Sequence, residues 1–300
     1  MTIQRIIDGI KRRIDRYIRI PLAHRKFRHI NILSSMDSID FIIRNKCSVS
    51  RFGDGEFFVM MGMGNSFQHP DPALGARLQQ VLTATDAPNH YVGIPYPMKN
   101  PSAQKPSSRE FWGYFTMRYA DRLLPHISTS RFYLDTQLTR FYMAYKNKSL
   151  CGKQLAMLKK IWDNKDIVIV EGCKSRTGIG NDLYDNVRSI HRILGPATDA
   201  FSKYQQMLEA IISTVSKEQL ILLSYGMTAT VLAYDLAKRG YWAIDIGHLD
   251  IEYEWYKMGA MEKCAVNGKF TNEAIGQMGY NVGDCQEKKY LEQIICDITK

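Results

Sequence analysis

Apolar residues recur along this chain in two alternating patterns: short unbroken runs, and longer segments with one apolar position every three or four. The clearest alternation spans Leu220 to Trp255. Leu220–Leu223 predicts a buried strand, Ser224-Tyr225-Gly226 a tight turn, and Val231, Leu232, Tyr234, Leu236 and Ala237 a helix that Gly240 closes. Trp242–Ile246 then predicts a second strand, so the stretch is a βαβ unit, which requires parallel strands covered by helices. Cys47–Phe52, Tyr91–Ile94, Phe132–Leu134 and Asp166–Val170 predict further strands. Helices are expected over Met36–Arg44, Leu74–Thr83, Phe111–Leu124 and Phe201–Val215, and another beginning at Thr139-Arg140-Phe141-Tyr142. Leu183, Val187, Ile190, Ile193 and Leu194 predict one more, ended by Gly195-Pro196, while the chain from Lys257 onward reads as helix and polar loop. The fold class is α/β: a Rossmann-like, mostly parallel sheet flanked by helices, preceded by an N-terminal amphipathic helix.

That first helix covers residues 2–20, with Ile3, Ile6, Ile7, Ile10, Ile14, Tyr17 and Ile18 at helical spacing, and Pro21 is expected to end it. Charge sharpens the picture. Of the net +10, residues 1–30 hold nine Lys/Arg against Asp8 and Asp15, leaving only +3 for the rest. The body therefore lacks the broad basic surface of a nucleic-acid binder, and no nucleic-acid partner is expected. The helix itself can either pack on its own domain or lie on an anionic membrane surface. Residues 1–30 are read as a basic extension and 31–300 as a single domain. Six scattered cysteines with no CxxC pair fit free thiols, and neither a signal peptide nor a membrane-spanning stretch is visible, so a cytoplasmic location is expected, peripheral on the inner membrane face if the helix binds lipid.

Three loops carry candidate chemistry. After the Cys47–Phe52 strand comes Arg51-Phe52-Gly53-Asp54-Gly55-Glu56, whose two carboxylates either mark a turn or converge on a hard divalent cation, Mn²⁺ or Mg²⁺, carrying phosphates. After Asp166–Val170 runs Glu171-Gly172-Cys173-Lys174-Ser175-Arg176-Thr177-Gly178-Ile179-Gly180-Asn181-Asp182. It is neither a dinucleotide fingerprint nor a Walker loop, yet glycines, two cations and a following helix N-terminus suit phosphate oxygens; a plain tight turn is the alternative. Gly226, Thr228 and Thr230 at the start of the later helix form a second candidate anion or ribose site. Finally His248, Asp250, Glu252 and Glu254 crowd the end of the last strand, where open α/β sheets bind ligands. Met98–Ser108, polar and proline-bearing, is expected to be a mobile loop over the site.

Together, RFGDGE, VEGCKSRTGIGNDLYDN and GMTATVLAYDLAKRGYWAIDIGHLDIEYEW resemble one family, the GT-D-fold bacterial glycosyltransferases, first catalogued as a domain of unknown function and typified by a glucosyltransferase of adhesin glycosylation. The resemblance spans roughly Asp40 to Lys263. It implies a GT-D-type fold and hexosyl transfer from a nucleotide sugar, typically UDP-glucose, to a glycan or lipid-linked glycan in surface polysaccharide or glycoprotein synthesis. It also implies a divalent metal on a D-x-E motif, here Asp54 and Glu56. Nucleotide-sugar contacts would fall to Arg51, Glu171, Arg176, Gly178, Gly180, Asn181, Gly226 and Thr228, and catalysis to His248, Asp250 and Glu252, with Tyr253 or Trp255 stacking on sugar or uracil. Tyr225-Gly226-Met227-Thr228 departs from the family's Leu-Gly-Pro-Thr run. Two other classes stand beside this reading: a non-catalytic nucleotide-binding module and a membrane-surface scaffold.

Overall fold

In the structure, a computed structural model that describes residues 3–66, 68–271 and 287–299, the apolar runs become strands of one sheet. In chain order the elements are α1 (Ile3–Ile14), a π turn (Asp15–Arg19), α2 (Ile20–Lys26), β1 (Asn31–Ile32), α3 (Ser35–Asn45), β2 (Ser48–Arg51), α4 (Asp54–Met60) and α5 (Pro72–Thr83). Then come β3 (His90–Ile94), α6 (Pro106–Leu123), β4 (Phe132–Asp135), α7 (Cys151–Trp162), β5 (Asp166–Gly172), β6 (Ser189–Gly195) and α8 (Tyr204–Thr214). The chain continues through β7 (Leu220–Ser224), α9 (Thr228–Lys238), β8 (Trp242–Asp245), α10 (Leu249–Met258), α11 (Lys288–Gln293) and β9 (Ile294–Asp297). The strands lie in the order β1-β4-β3-β2-β8-β7-β5-β6-β9, and every pairing is parallel.

Both faces of the sheet are covered, which is why β5, β7 and β8 read as near-continuous apolar runs rather than as alternating ones. Ile167 and Ile169 pack with Ile39, Leu158, Trp162 and Trp255 on one face, while Val168 and Val170 pack with Met207, Ile211 and Leu232 on the other. A third cluster joins Phe52, Phe57, Leu78 and Phe115 around the β2–β3–β4 half. The strand order reverses between β2 and β8, whose sequences are nearly two hundred residues apart but pair at Val49 and Ile244. A crevice at such a reversal is where doubly wound sheets take ligands.

Four expectations give way. Pro21 does not end the first helix: the Ile20 amide reaches back to Asp15 O across the π turn, so the proline falls in the first turn of a fresh α segment, where its missing N–H costs nothing. No helix begins at Thr139; residues 140–150 are turns and irregular chain with one bridge from Tyr145 to Gln104, and α7 starts at Cys151. The helix expected over Leu183–Leu194 does not form: residues 183–188 are turn and bend and the rest is strand β6, because a ladder with β5 on one side and β9 on the other overrides an apolar spacing that suits a helix equally well. Gly195 at its end lies against the Tyr225 ring, with no room for a side chain. Lastly, β9 closes the sheet where only helix and loop were expected; the part of that tail within 272–286 lies outside the described residues.

Glu171 of β5 and Arg192 of β6 form an ion pair at 2.7 Å that is almost wholly sealed from solvent. The second Glu171 oxygen accepts from Thr177 N at 2.7 Å, and Arg192 also donates to Gln293 Oε1 at 2.7 Å and lies over the Tyr290 ring. Removing one member of such a pair strands the other charge in the core. Glu171→Gln should therefore cost about 3–5 kcal/mol in urea unfolding. His90, whose Nε2 lies 2.7 Å from Ser50 Oγ, is pushed down to about 4 by burial and secondarily by the Arg131 cation. The unfolded histidine takes up its proton first, so this contribution is full above the ordinary 6.5 and is lost as pH falls toward 4. His90→Gln should flatten that acid limb by about 3 kcal/mol in pH-dependent denaturation.

Candidate active site

The carboxyl ends of β2, β4, β5, β6, β7 and β8 surround one cavity of about 720 Å³. Its floor is an ion pair: Arg51, the last residue of β2, places Nε 3.3 Å from Asp245 Oδ1 at the end of β8. The same guanidinium donates to Thr136 O at 3.1 Å and to the Thr139 hydroxyl, drawing in the chain beyond β4. Asp245 Oδ1 also accepts from Gly247 N at 2.9 Å, and the Thr230 hydroxyl lies 3.3 Å from Oδ2. Gly247 sits at φ +48°, and a Cβ there would overlap the Arg51 guanidinium, so no other residue serves at this bend. Burial holds Asp245 above the usual carboxylate range in spite of Arg51.

The Asp-Gly-Glu turn is the first turn of a helix, α4, capped by Gly53. Glu56 Oε2 reaches back to accept from Gly53 N at 2.7 Å, the reciprocal half of a capping box. Asp54 and Glu56 both line the cavity beside Asp245. Enclosure first, then the negative charge of Asp245, pushes Glu56 up to about 7. The donors here are oxygens, the class hard cations prefer. Among the described residues no three His, Cys, Asp or Glu side chains gather as a ready-made metal site, so a cation here would draw on water and substrate oxygens as well.

The acids after β8 occupy α10 rather than an extended tail, and their four-residue spacing sorts them onto two lines. Asp250 and Glu254 turn toward the glycine loop: Asp250 Oδ1 accepts from Gly178 N and from Asn181 Nδ2, both at 2.8 Å, and Glu254 Oε1 accepts from Asn181 Nδ2 at 2.6 Å. Lys269, buried, closes the cluster at 2.7 Å from Asp250 Oδ2 and 2.8 Å from Glu254 Oε1. Glu252 is spent differently: its Oε2 accepts the Tyr142 and Met143 amides at 3.1 and 2.8 Å, and Oε1 lies 3.5 Å from Arg140. His248, Asp250 and Glu252 all border the cavity, but Asp250 and Glu252 are almost fully buried and answer internal donors, whereas His248 is half-buried at the foot of α10.

Other expected residues lie further off. Gly226 lines the cavity; Thr228 is buried and outside its lining, its hydroxyl without a hydrogen-bond partner among the described residues. Ser175 and Thr177 border the cavity, but Arg176 between them turns to Gly268 O at 2.7 Å, and Glu171 is the buried strand partner described above. Gly178, Gly180 and Asn181 line a separate depression with Asp182 and Arg188. Because β6 replaces the expected helix, no helix N-terminus follows this loop; instead α9 and α10 start at the cavity rim, each without a side-chain cap. Trp255 donates to Cys264 O at 2.9 Å and Tyr253 to Asp182 at 2.7 Å, both buried away from the cavity. The Met98–Ser108 segment forms a wall through Lys105, Ser107 and Ser108, cross-bonded to Ala144 and Lys146. Sequence reasoning missed Lys269, Glu262, Lys263 and Phe270, which come from a loop that folds back over the rim; only the turn at Gly268, φ +72°, hints at it.

Comparison with known proteins agrees with this architecture. A family model described as the glycosyltransferase GT-D fold matches residues 49–274. A probable glycosyl transferase, Gly, of Streptococcus gordonii is 35% identical over 283 residues, 94% of this chain and 41% of the relative. Glycosyltransferase GlyD of Streptococcus pneumoniae serotype 4 is 34% identical over 262 residues, 87% of this chain and 32% of the relative. The chain thus spans less than half of the length of these relatives. A solved structure of the highly conserved domain of unknown function 1792, described as a distinct glycosyltransferase fold, superposes with a TM-score of 0.86 at 35% identity, covering 93% of this chain and 99% of that one. A glycosyltransferase of the same domain type from Streptococcus sanguinis gives 0.83 at 34% identity, covering 89% and 99%. With the family match extending over most of the sheet and the whole cavity rim, the chain belongs to the GT-D-fold glycosyltransferases.

Proposed function

We propose that this protein transfers a hexose, glucose being the first candidate, from a UDP-sugar to a hydroxyl of a glycan or lipid-linked glycan on the inner face of the membrane. The observation that carries the reading is the meeting of Asp54, Glu56, Asp245 and His248 in one cavity whose volume suits a small ligand. The donor set fits a divalent cation, since it is all oxygen and the mutual repulsion of Glu56 and Asp245 would be relieved by positive charge. Asp54 and Glu56 would hold Mn²⁺ or Mg²⁺, which when bound neutralises charge developing on the leaving diphosphate.

The chain's own groups supply the rest. The uncapped N-termini of α9 and α10 point their partial positive charge at the rim, and Gly226 lets phosphate approach the α9 backbone closely. His248 is the best-placed base, because Asp250 and Glu252 already answer internal donors. Its imidazole accepts the acceptor hydroxyl's proton as that oxygen bonds to the anomeric carbon and the bond from sugar carbon to diphosphate oxygen breaks. Asp250 and Glu252 act at one remove, holding the glycine loop and the 140–143 turn in place.

Purified protein screened with UDP-, GDP- and dTDP-sugars and Mn²⁺ should release UDP from a UDP-hexose. Asp54→Asn should lower that rate by about 100-fold or more with an unchanged circular dichroism spectrum, and His248→Ala by about 10²–10⁴ in kcat. Near-normal transfer by Asp54→Asn would remove the metal assignment. Tight UDP binding without turnover of any UDP-sugar would instead make the chain a nucleotide-binding module.

A further inference from the structure

The helical run from Ile3 to Lys26 stands away from the domain over its first two thirds. Ile7, Ile10, Ile14 and Ile18 recur at helical spacing and are 40%, 53%, 39% and 53% exposed, with Tyr17 at 71%. An isolated helix of this length is marginal in water, and an apolar stripe along it gains nothing until something covers it. Lys11 and Arg13 flank the stripe, and Arg12, Arg16 and Arg19 are exposed as well. A second copy laid stripe to stripe would bring these cations against their own counterparts. A nucleic acid would answer the charge but not the isoleucines. An interface of acyl chains beneath anionic headgroups answers both. Among the described residues no helix is long and apolar enough to cross a membrane, which leaves lying on the surface as the mode.

The far end of this run is fastened to the cavity. Ile20 packs on Gly113 of α6 so closely that a Cβ there would come within 3.2 Å of two of its carbons. Lys26 pairs with Asp121 at 2.6 Å, and His24 Nδ1 lies 2.7 Å from Met98 O. Phe111 and Trp112, just before Gly113 in α6, line the cavity, and Phe111 is 44% exposed. We propose that the N-terminal helix docks on an anionic lipid bilayer and holds the α6 wall of the cavity beside it, so that the acceptor is met in lipid-linked form. The docking stands on the helix alone; the acceptor half rests on the glycosyl-transfer reading.

The test uses the full chain, because Phe27 and Ile30 belong to the core and a truncation at Asn31 would remove them. Co-sedimentation with phosphatidylcholine vesicles, with and without phosphatidylglycerol, is compared for the unaltered protein, for Ile10→Ser/Ile14→Ser/Ile18→Ser and for Lys11→Glu/Arg12→Glu/Arg13→Glu. Binding should require phosphatidylglycerol and weaken by roughly tenfold or more in either variant. Absence of binding to anionic vesicles, binding undiminished in both variants, or a dimer that the isoleucine variant abolishes without any vesicle binding would overturn the docking. Sugar transfer to a soluble acceptor should be unchanged in the variants, while transfer to a lipid-linked acceptor in the vesicles should fall. Equal loss on both acceptors, or none on either, overturns the acceptor half. If the unaltered protein turns over no donor at all, the glycosyl-transfer reading and the acceptor half that rests on it both fail, and the sedimentation result still decides the docking.

Discussion

The contact between Arg51 and Asp245 is the constraint on which the site depends. These residues end two neighbouring strands, β2 and β8, that the chain reaches nearly two hundred residues apart. At that point helices leave for opposite faces of the sheet, α4 to one and α10 to the other, and a crevice opens. A charge pair this enclosed gives little net stability by itself, but losing one partner would leave the other stranded. The guanidinium also gathers Thr136 and Thr139, so three chain segments are set by one side chain. Gly247 is the necessary companion, since only a residue without a Cβ can bend past that guanidinium.

The density of acids after β8 has a divided explanation. Asp250, Glu252 and Glu254 are matched by amides, Asn181, Arg140 and Lys269, and they fasten loops that contribute nothing to each other by local sequence. Asp54 and Glu56 instead come from the other half of the chain and face the cavity, where Glu56 and Asp245 raise the cost of each other's charge. Positioning acids and cavity acids thus stand close to one another. The first kind rigidifies the frame, and the second leaves an electrostatic demand that a cation could meet.

Much of this was legible locally. Strands β5 and β7 follow from unbroken apolar runs, as suits strands buried on both faces, and β2, β3 and β8 from shorter or mixed runs; β2 is Ser48-Val49-Ser50-Arg51, buried though polar at three of its four positions. Helices α3, α5, α6, α8 and α9 follow from apolar spacing and terminal signals. The failures share a cause. Leu183, Val187, Ile190 and Leu194 satisfy a helical period, yet residues 189–195 are strand because β5 and β9 stand ready on either side, and neither neighbour is visible from within the segment. The partners of Glu171 and Arg176 are likewise out of view locally: Arg192 holds the first across the β5–β6 ladder, and Gly268 O receives the second.

The sequence by itself determined the parallel α/β architecture, which is written in short-range periodicity, and carried the three motif blocks by which the chain resembles its family. Only the tertiary structure decided which of the acids open onto the cavity and which are spent on Lys269, Asn181 and backbone amides. The physical reason is that a carboxylate's role is set by its partners across space, and those partners lie up to 110 residues away in the chain for Glu252 and further for Asp245.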